Sequence, residues 1–142
     1  MRPEELKAKA QQVHQLMTHD VYIIAGVEAV RQTHQAFEEE GFTDKTFVPW
    51  PDISQKRKDQ KRKANGDLAK ILHDTGNLED SIDYEAQPAL HQVVIGTDVP
   101  YAARHNEGLS GMPEREFLGE SEQMHERIVR KLDREFDRIF GH

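Results

Sequence analysis

The chain has 142 residues, no cysteine, a formal net charge of −7, 36% apolar and 32% charged residues. This length suits one domain or a compact domain with a protruding arm, and a single domain over 1–142 is expected; the polar composition implies either a large exposed surface or a fold that completes its packing in an assembly. The acidity argues against a whole-domain nucleic-acid binder, and the missing cysteines exclude disulfides and thiolate metal sites.

The start, Met1-Arg2-Pro3-Glu4-Glu5, lacks the apolar stretch of a signal peptide. The longest apolar run, Val21 to Val27, is far too short to cross a bilayer. These features predict a protein made in a cytoplasm, with no membrane partner.

Pro3 fits the first turn of a helix. Leu6, Ala10, Val13 and Met17 then form one apolar helical stripe. Thr18-His19-Asp20 predicts a break or a new helix cap. A second helix is expected from about Val21 to Glu40, with Ile23, Val27, Val30, His34 and Phe37 on one face and Gly41 as its stop. Phe42 to Ser54 reads as loop, because two prolines flank the only tryptophan. Phe47 and Trp50 are expected to pin that loop to the core.

Lys56 to Lys63 reads KRKDQKRK, six bases and one acid. A turn at Asn65-Gly66 and a short helix capped by Asp67 and stopped by Gly76 follow. Leu78, Ile82, Tyr84 and Ala86 fall on alternate positions and predict a half-buried strand. A second strand from Leu90 to Thr97 completes a β-hairpin, which needs helices or other strands to cover it. Val99 to Glu107 predicts a short helix or turn, and Gly108 to Pro113 an exposed loop. Met124, Ile128, Leu132, Phe136 and Ile139 share one face of a final amphipathic helix, flanked by Val129 and Phe140. The expected class is α+β: long N-terminal helices, a small antiparallel sheet or hairpin, and a C-terminal amphipathic helix.

The chemical motifs fail on residue type or spacing. His14 and His19 are five apart, a poor fit to one helix face. His105-Asn106-Glu107 matches half of a zinc deaminase motif whose other half needs cysteines. Ser81, Asp83 and His91 could meet across the hairpin, but no nucleophile elbow supports them. Gly108-Leu109-Ser110-Gly111 lacks phosphate-loop spacing. No cofactor, metal or catalytic residue is therefore expected.

The basic residues Lys56, Arg57, Lys58, Lys61, Arg62 and Lys63 are the sharpest charge feature. They read as a solvated loop, as a contact with DNA phosphates, or as a contact with an acidic neighbour. Residues 1–40 hold seven acids against four bases, and residues 112–142 hold eight against six. A basic loop facing such helices on a like subunit would be a head-to-tail contact able to close a ring.

A longer pattern runs from Leu72 to Gly119. It reads Leu72-x-x-Thr75-Gly76-x-Leu78-x-x-Ser81-Ile82, then Val94-Ile95-Gly96-Thr97. Tyr101-Ala102-x-x-His105-x-x-Gly108 and Met112-Pro113-x-Arg115-x-Phe117-Leu118-Gly119 follow. This ordered series resembles the virion morphogenesis family of Mu-like and P2-like tailed phages. Two positions depart from it: Glu107 stands where an apolar residue is usual, and Glu116 where a proline is common.

The resemblance implies a non-enzymatic structural protein of tail completion or head–tail joining. It implies a homo-oligomeric ring, of six copies, at the head-proximal end of the tail, beside other tail or neck proteins in the virion. The alternative is a neck or channel protein touching DNA through Lys56–Lys63. Tyr101, His105 and Arg115 join the basic residues as candidate subunit contacts. Physically, Gly96 reads as a bulge or close approach, Arg115 as an anchor for its loop, and Phe117 and Leu118 as core.

Overall fold

A computed structural model describes residues 1–51, 77–99, 102–108 and 115–141. The class is α+β, as the sequence implies. Helix α1 spans Pro3–Gln15 and helix α2 spans Val21–Glu39, and a π-helical turn, Leu16–Asp20, joins them. The break expected at Thr18-His19-Asp20 is absent. Asp20 keeps helical dihedrals and its side chain caps nothing. The Val21 N–H bonds to the Leu16 carbonyl, and the Thr18 hydroxyl bonds back to the His14 carbonyl at 2.6 Å. A wider turn therefore carries one long rod through a sequence that looks like a stop.

The rod ends at Glu40, which takes the left-handed conformation with φ 55°. Gly41, expected as the stop, instead opens strand β1 (Gly41–Thr43). A Cβ there would lie 2.4 Å from the Phe47 ring and 2.7 Å from the Val48 carbonyl oxygen. Glycine is thus needed for close approach, not for the helix end. β1 pairs antiparallel with β2 (Phe47–Pro49), with Phe42 opposite Val48. The expected loop is in part this hairpin, and Pro49 is tolerated because β2 is an edge strand.

The second hairpin matches expectation more closely. β3 (Asp83–Gln87) and β4 (Gln92–Gly96) pair antiparallel, with Tyr84 opposite Ile95 and Ala86 opposite Val93. A 3-10 turn, Pro88–Leu90, connects them. Leu78 is not in the strand. It belongs to a one-turn helix, Asn77–Asp80, closed by bonds from the Ser81 backbone and hydroxyl to the Leu78 carbonyl. Leu78 and Ile82 are both buried, since their spacing of four suits a helical turn as well as alternation. Gly96 ends β4 with open space beside its Cα, so the close approach expected there does not occur.

Helix α2 packs against β3, β4 and the C-terminal helix, Glu122–Phe140. Its buried residues are Gly26, Glu28, Gln32, Thr33, Ala36 and Phe37. Of the expected face only Phe37 is buried and Val30 partly so; Ile23 and Val27 are 42% and 45% exposed, and His34 is exposed. The face turned inward is the one carrying small and pairable residues. At Gly26 a Cβ would sit 2.3 Å from the Tyr84 ring, so the sheet rests directly on the helix backbone.

The core gathers Ala36, Phe37, Phe42, Trp50, Leu78, Ile82, Ala102 and Phe117. Phe37 meets Trp50 edge-on, with centroids 5.6 Å apart, and Phe117 at 5.1 Å. Trp50 pins its segment as expected, whereas Phe47 stays 46% exposed. The C-terminal helix also follows its sequence pattern. Met124 and Ile139 are buried, Ile128, Leu132 and Phe136 half-buried, and Val129 and Phe140 exposed.

Phe117 has no exposed surface. Phe117→Ala should lower unfolding free energy by roughly 3–5 kcal/mol in urea titrations, the usual cost of emptying a large aromatic site.

Candidate assembly surface

The segment that ends the family-like pattern is held by backbone carbonyls and one amide side chain. The Trp50 indole N–H donates to the Glu116 carbonyl at 2.8 Å, and Arg115 Nε donates to the Pro51 carbonyl at 2.9 Å. The Asn106 side-chain oxygen accepts from the backbone N–H groups of both Phe117 and Leu118, each at 2.9 Å. Asn106 lies on the short helix Ala102–Glu107. These bonds lock residues 115–118 between that helix and the chain around Trp50, and they satisfy buried backbone groups.

The C-terminal helix is then set by Asp44 and Thr43, at the tip of the first hairpin. The Asp44 carboxylate accepts from the Glu122 N–H at 2.8 Å, where the helix dipole favours an anion. The Ser121 hydroxyl donates to the Thr43 carbonyl at 2.5 Å and accepts from the Met124 N–H at 3.3 Å, a capping bond. Gln32 Nε2 donates to the same Thr43 carbonyl at 2.9 Å.

Further along, Glu28 is wholly buried between α2 and this helix. Lys131 Nζ lies 2.5 Å from Glu28 Oε1, and Arg31 Nη1 lies 3.6 Å from the same oxygen. Arg127 reaches Gln32 Oε1 at 3.5 Å. This polar seam was not found from the sequence. Its one signal is the spacing of four that Glu28 and Gln32 share with Arg127 and Lys131 on antiparallel helices.

Between the second hairpin and the C-terminal helix lies an open groove of about 530 Å³. Ala25 and Ala29 form its floor, and Val93, Ile95, Met124 and Ile128 its walls. Tyr22 Oη and His91 Nδ1 are 3.3 Å apart at its rim. Helix α1, by contrast, buries none of its residues. Leu6 is 58% and Met17 45% exposed.

Arg115 is 5% exposed, and its Nε is engaged within the chain as the expected loop anchor. His105 lies on the short helix, but its side chain falls outside the described residues. Tyr101, the basic residues Lys56, Arg57, Lys58, Lys61, Arg62 and Lys63, and the turn and short helix expected at 65–76 also fall outside them. The exposed loop expected from Gly108 to Pro113 falls outside them beyond Gly108.

Ser81, Asp83 and His91 do not converge. The hairpin register sets Asp83 opposite Gly96 and His91 at the connecting turn, while the Ser81 hydroxyl bonds to Thr97. Among the described residues no three His, Asp or Glu side chains are grouped to hold a metal, and no described helix is long and apolar enough to cross a membrane.

A small α+β body with an exposed apolar stripe on its N-terminal helix, an open apolar groove and a locked loop has the features of an assembly protein. The model of the phage virion morphogenesis family matches residues 4–137, nearly the whole chain. The chain belongs to that family, and its role is a structural one in assembling the phage particle. No curated protein and no solved structure matches it.

Lys131→Met leaves the Glu28 carboxylate without its nearest cation and should destabilise the fold by roughly 3 kcal/mol. Replacing both, Glu28→Met with Lys131→Met, should restore most of that loss in the same denaturation assay. Equal losses in the single and double variants would show that the pair does not couple the helices.

Proposed function

We propose that the protein acts without catalysis in tail completion or head–tail joining, as a subunit of a ring of six copies at the head-proximal end of the tail. The observation that carries this reading is the family match over residues 4–137. A helix with no buried residue and an apolar groove on the same chain support a role in assembly, because both leave apolar surface that another chain can cover. Tyr101, His105 and the basic residues Lys56–Lys63 remain the proposed contacts with like subunits or with neighbouring tail and neck proteins. Arg115 contributes indirectly, by holding the 115–118 segment against Pro51.

Deleting the gene from the phage that encodes the protein should leave filled heads and tails unjoined in electron micrographs. Supplying the protein in trans should restore infectious particles. Normal particle yield from the deletion would overturn the reading.

A further inference from the structure

The apolar stripe of α1 and the floor of the groove form one track. Met17, Val13, Ala10 and Leu6 recede from His19 toward the N-terminus at helical spacing. Val21, Ala25, Ala29 and Thr33 recede from it the other way and line the groove. The π-turn brings the two halves into line, since its extra residue rotates α1 relative to α2. The track is therefore close to symmetrical about His19: Met17 matches Val21, Val13 matches Ala25, Ala10 matches Ala29, and Leu6 matches Thr33.

We propose that two copies of this chain pair antiparallel across this track, each α1 lying in the groove of its partner. The chain's own α1 cannot fill its own groove, because the rod stays helical through Leu16–Asp20 and carries α1 away from it. The lengths agree. At 1.5 Å per residue the stripe Leu6–Met17 is about 16 Å long and the floor Val21–Thr33 about 18 Å.

Ala25 and Ala29 leave room above α2 for the backbone of a second helix. Lys9 ties α1 to the Ile139 carbonyl at the end of the C-terminal helix, but the stripe on another face of α1 stays largely open, and burying such an apolar face stabilises a helix. A two-fold axis at His19 buries both stripes at once, which makes the contact self-complementary. Charge favours it as well: residues 1–19 hold three bases against two acids, so the arm is +1 and the remainder of the chain −8. The pairing goes beyond the ring and does not require it.

The full chain has no cysteine, so introduced thiols report cleanly. In the Val13→Cys, Ala25→Cys double variant, mild oxidation should give a covalent dimer on a non-reducing gel. A Val13→Cys, Ile23→Cys variant should not, because Ile23 points away from the track. Ala10→Asp places a charge in the contact and should weaken dimerisation by about tenfold or more in sedimentation velocity, with unchanged helical circular dichroism. A native chain that stays monomeric at millimolar concentration would overturn the pairing, as would equal cross-linking by the two cysteine pairs. A ring that forms without the Val13–Ala25 cross-link would overturn the pairing and leave the tail-completion reading standing.

Discussion

Phe37, Trp50 and Phe117 come from three separated parts of the chain and meet in one aromatic contact. Everything downstream is placed by it. Trp50 fixes the Glu116 carbonyl through its indole N–H, and Arg115 and Asn106 complete the lock on residues 115–118. That segment leads into Ser121, so its position decides where the C-terminal helix begins. The same contact joins a rod, a hairpin and a loop that have little regular secondary structure to bind them otherwise. Apolar burial supplies the driving force, and the indole and amide bonds select one arrangement from the many that would bury similar area.

A second layer of specification lies in the polar seam between α2 and the C-terminal helix. Glu28, Gln32, Thr43, Asp44, Ser121, Arg127 and Lys131 set the register of two helices that apolar contact alone would let slide. Burying Glu28 is costly and is offset by Lys131, which makes the seam a device for uniqueness more than for net stability. It also fixes the gap between the C-terminal helix and the second hairpin, and so the width of the groove. The open apolar stripe of α1 and the groove then lie on one long rod, whose N-terminal half touches the C-terminal helix through Lys9 and leaves that stripe uncovered.

Much of this was legible in the residues. The C-terminal helix and its inward face follow from the spacing of Met124 through Ile139, and the β3–β4 hairpin from alternation around Pro88. The family-like series from Leu72 to Gly119 pointed to the class that the match over residues 4–137 establishes. Other expectations failed for identifiable reasons. Thr18-His19-Asp20 carries the residues of a helix cap, but a hydroxyl can also return to the preceding turn, and it does. Leu78 and Ile82 satisfy both alternation and a helical turn. Ile23 and Val27 are more apolar than Glu28 and Gln32, yet the latter pair faces inward because the opposing helix offers partners.

By itself the sequence determined the α+β class, the amphipathic ends of the chain, the anchoring role of Trp50 and the family. These rest on local periodicity and on residue types whose preferences hold almost anywhere. Tertiary structure alone decided which face of α2 is buried, that the rod runs unbroken through the π-turn, and that Arg115 anchors its loop on the Pro51 carbonyl. Each of those depends on a partner far away in the chain, such as Lys131 for Glu28 or the Pro51 carbonyl for Arg115. A residue's preference is written in its own chemistry; whether that preference is met depends on what the fold places opposite it.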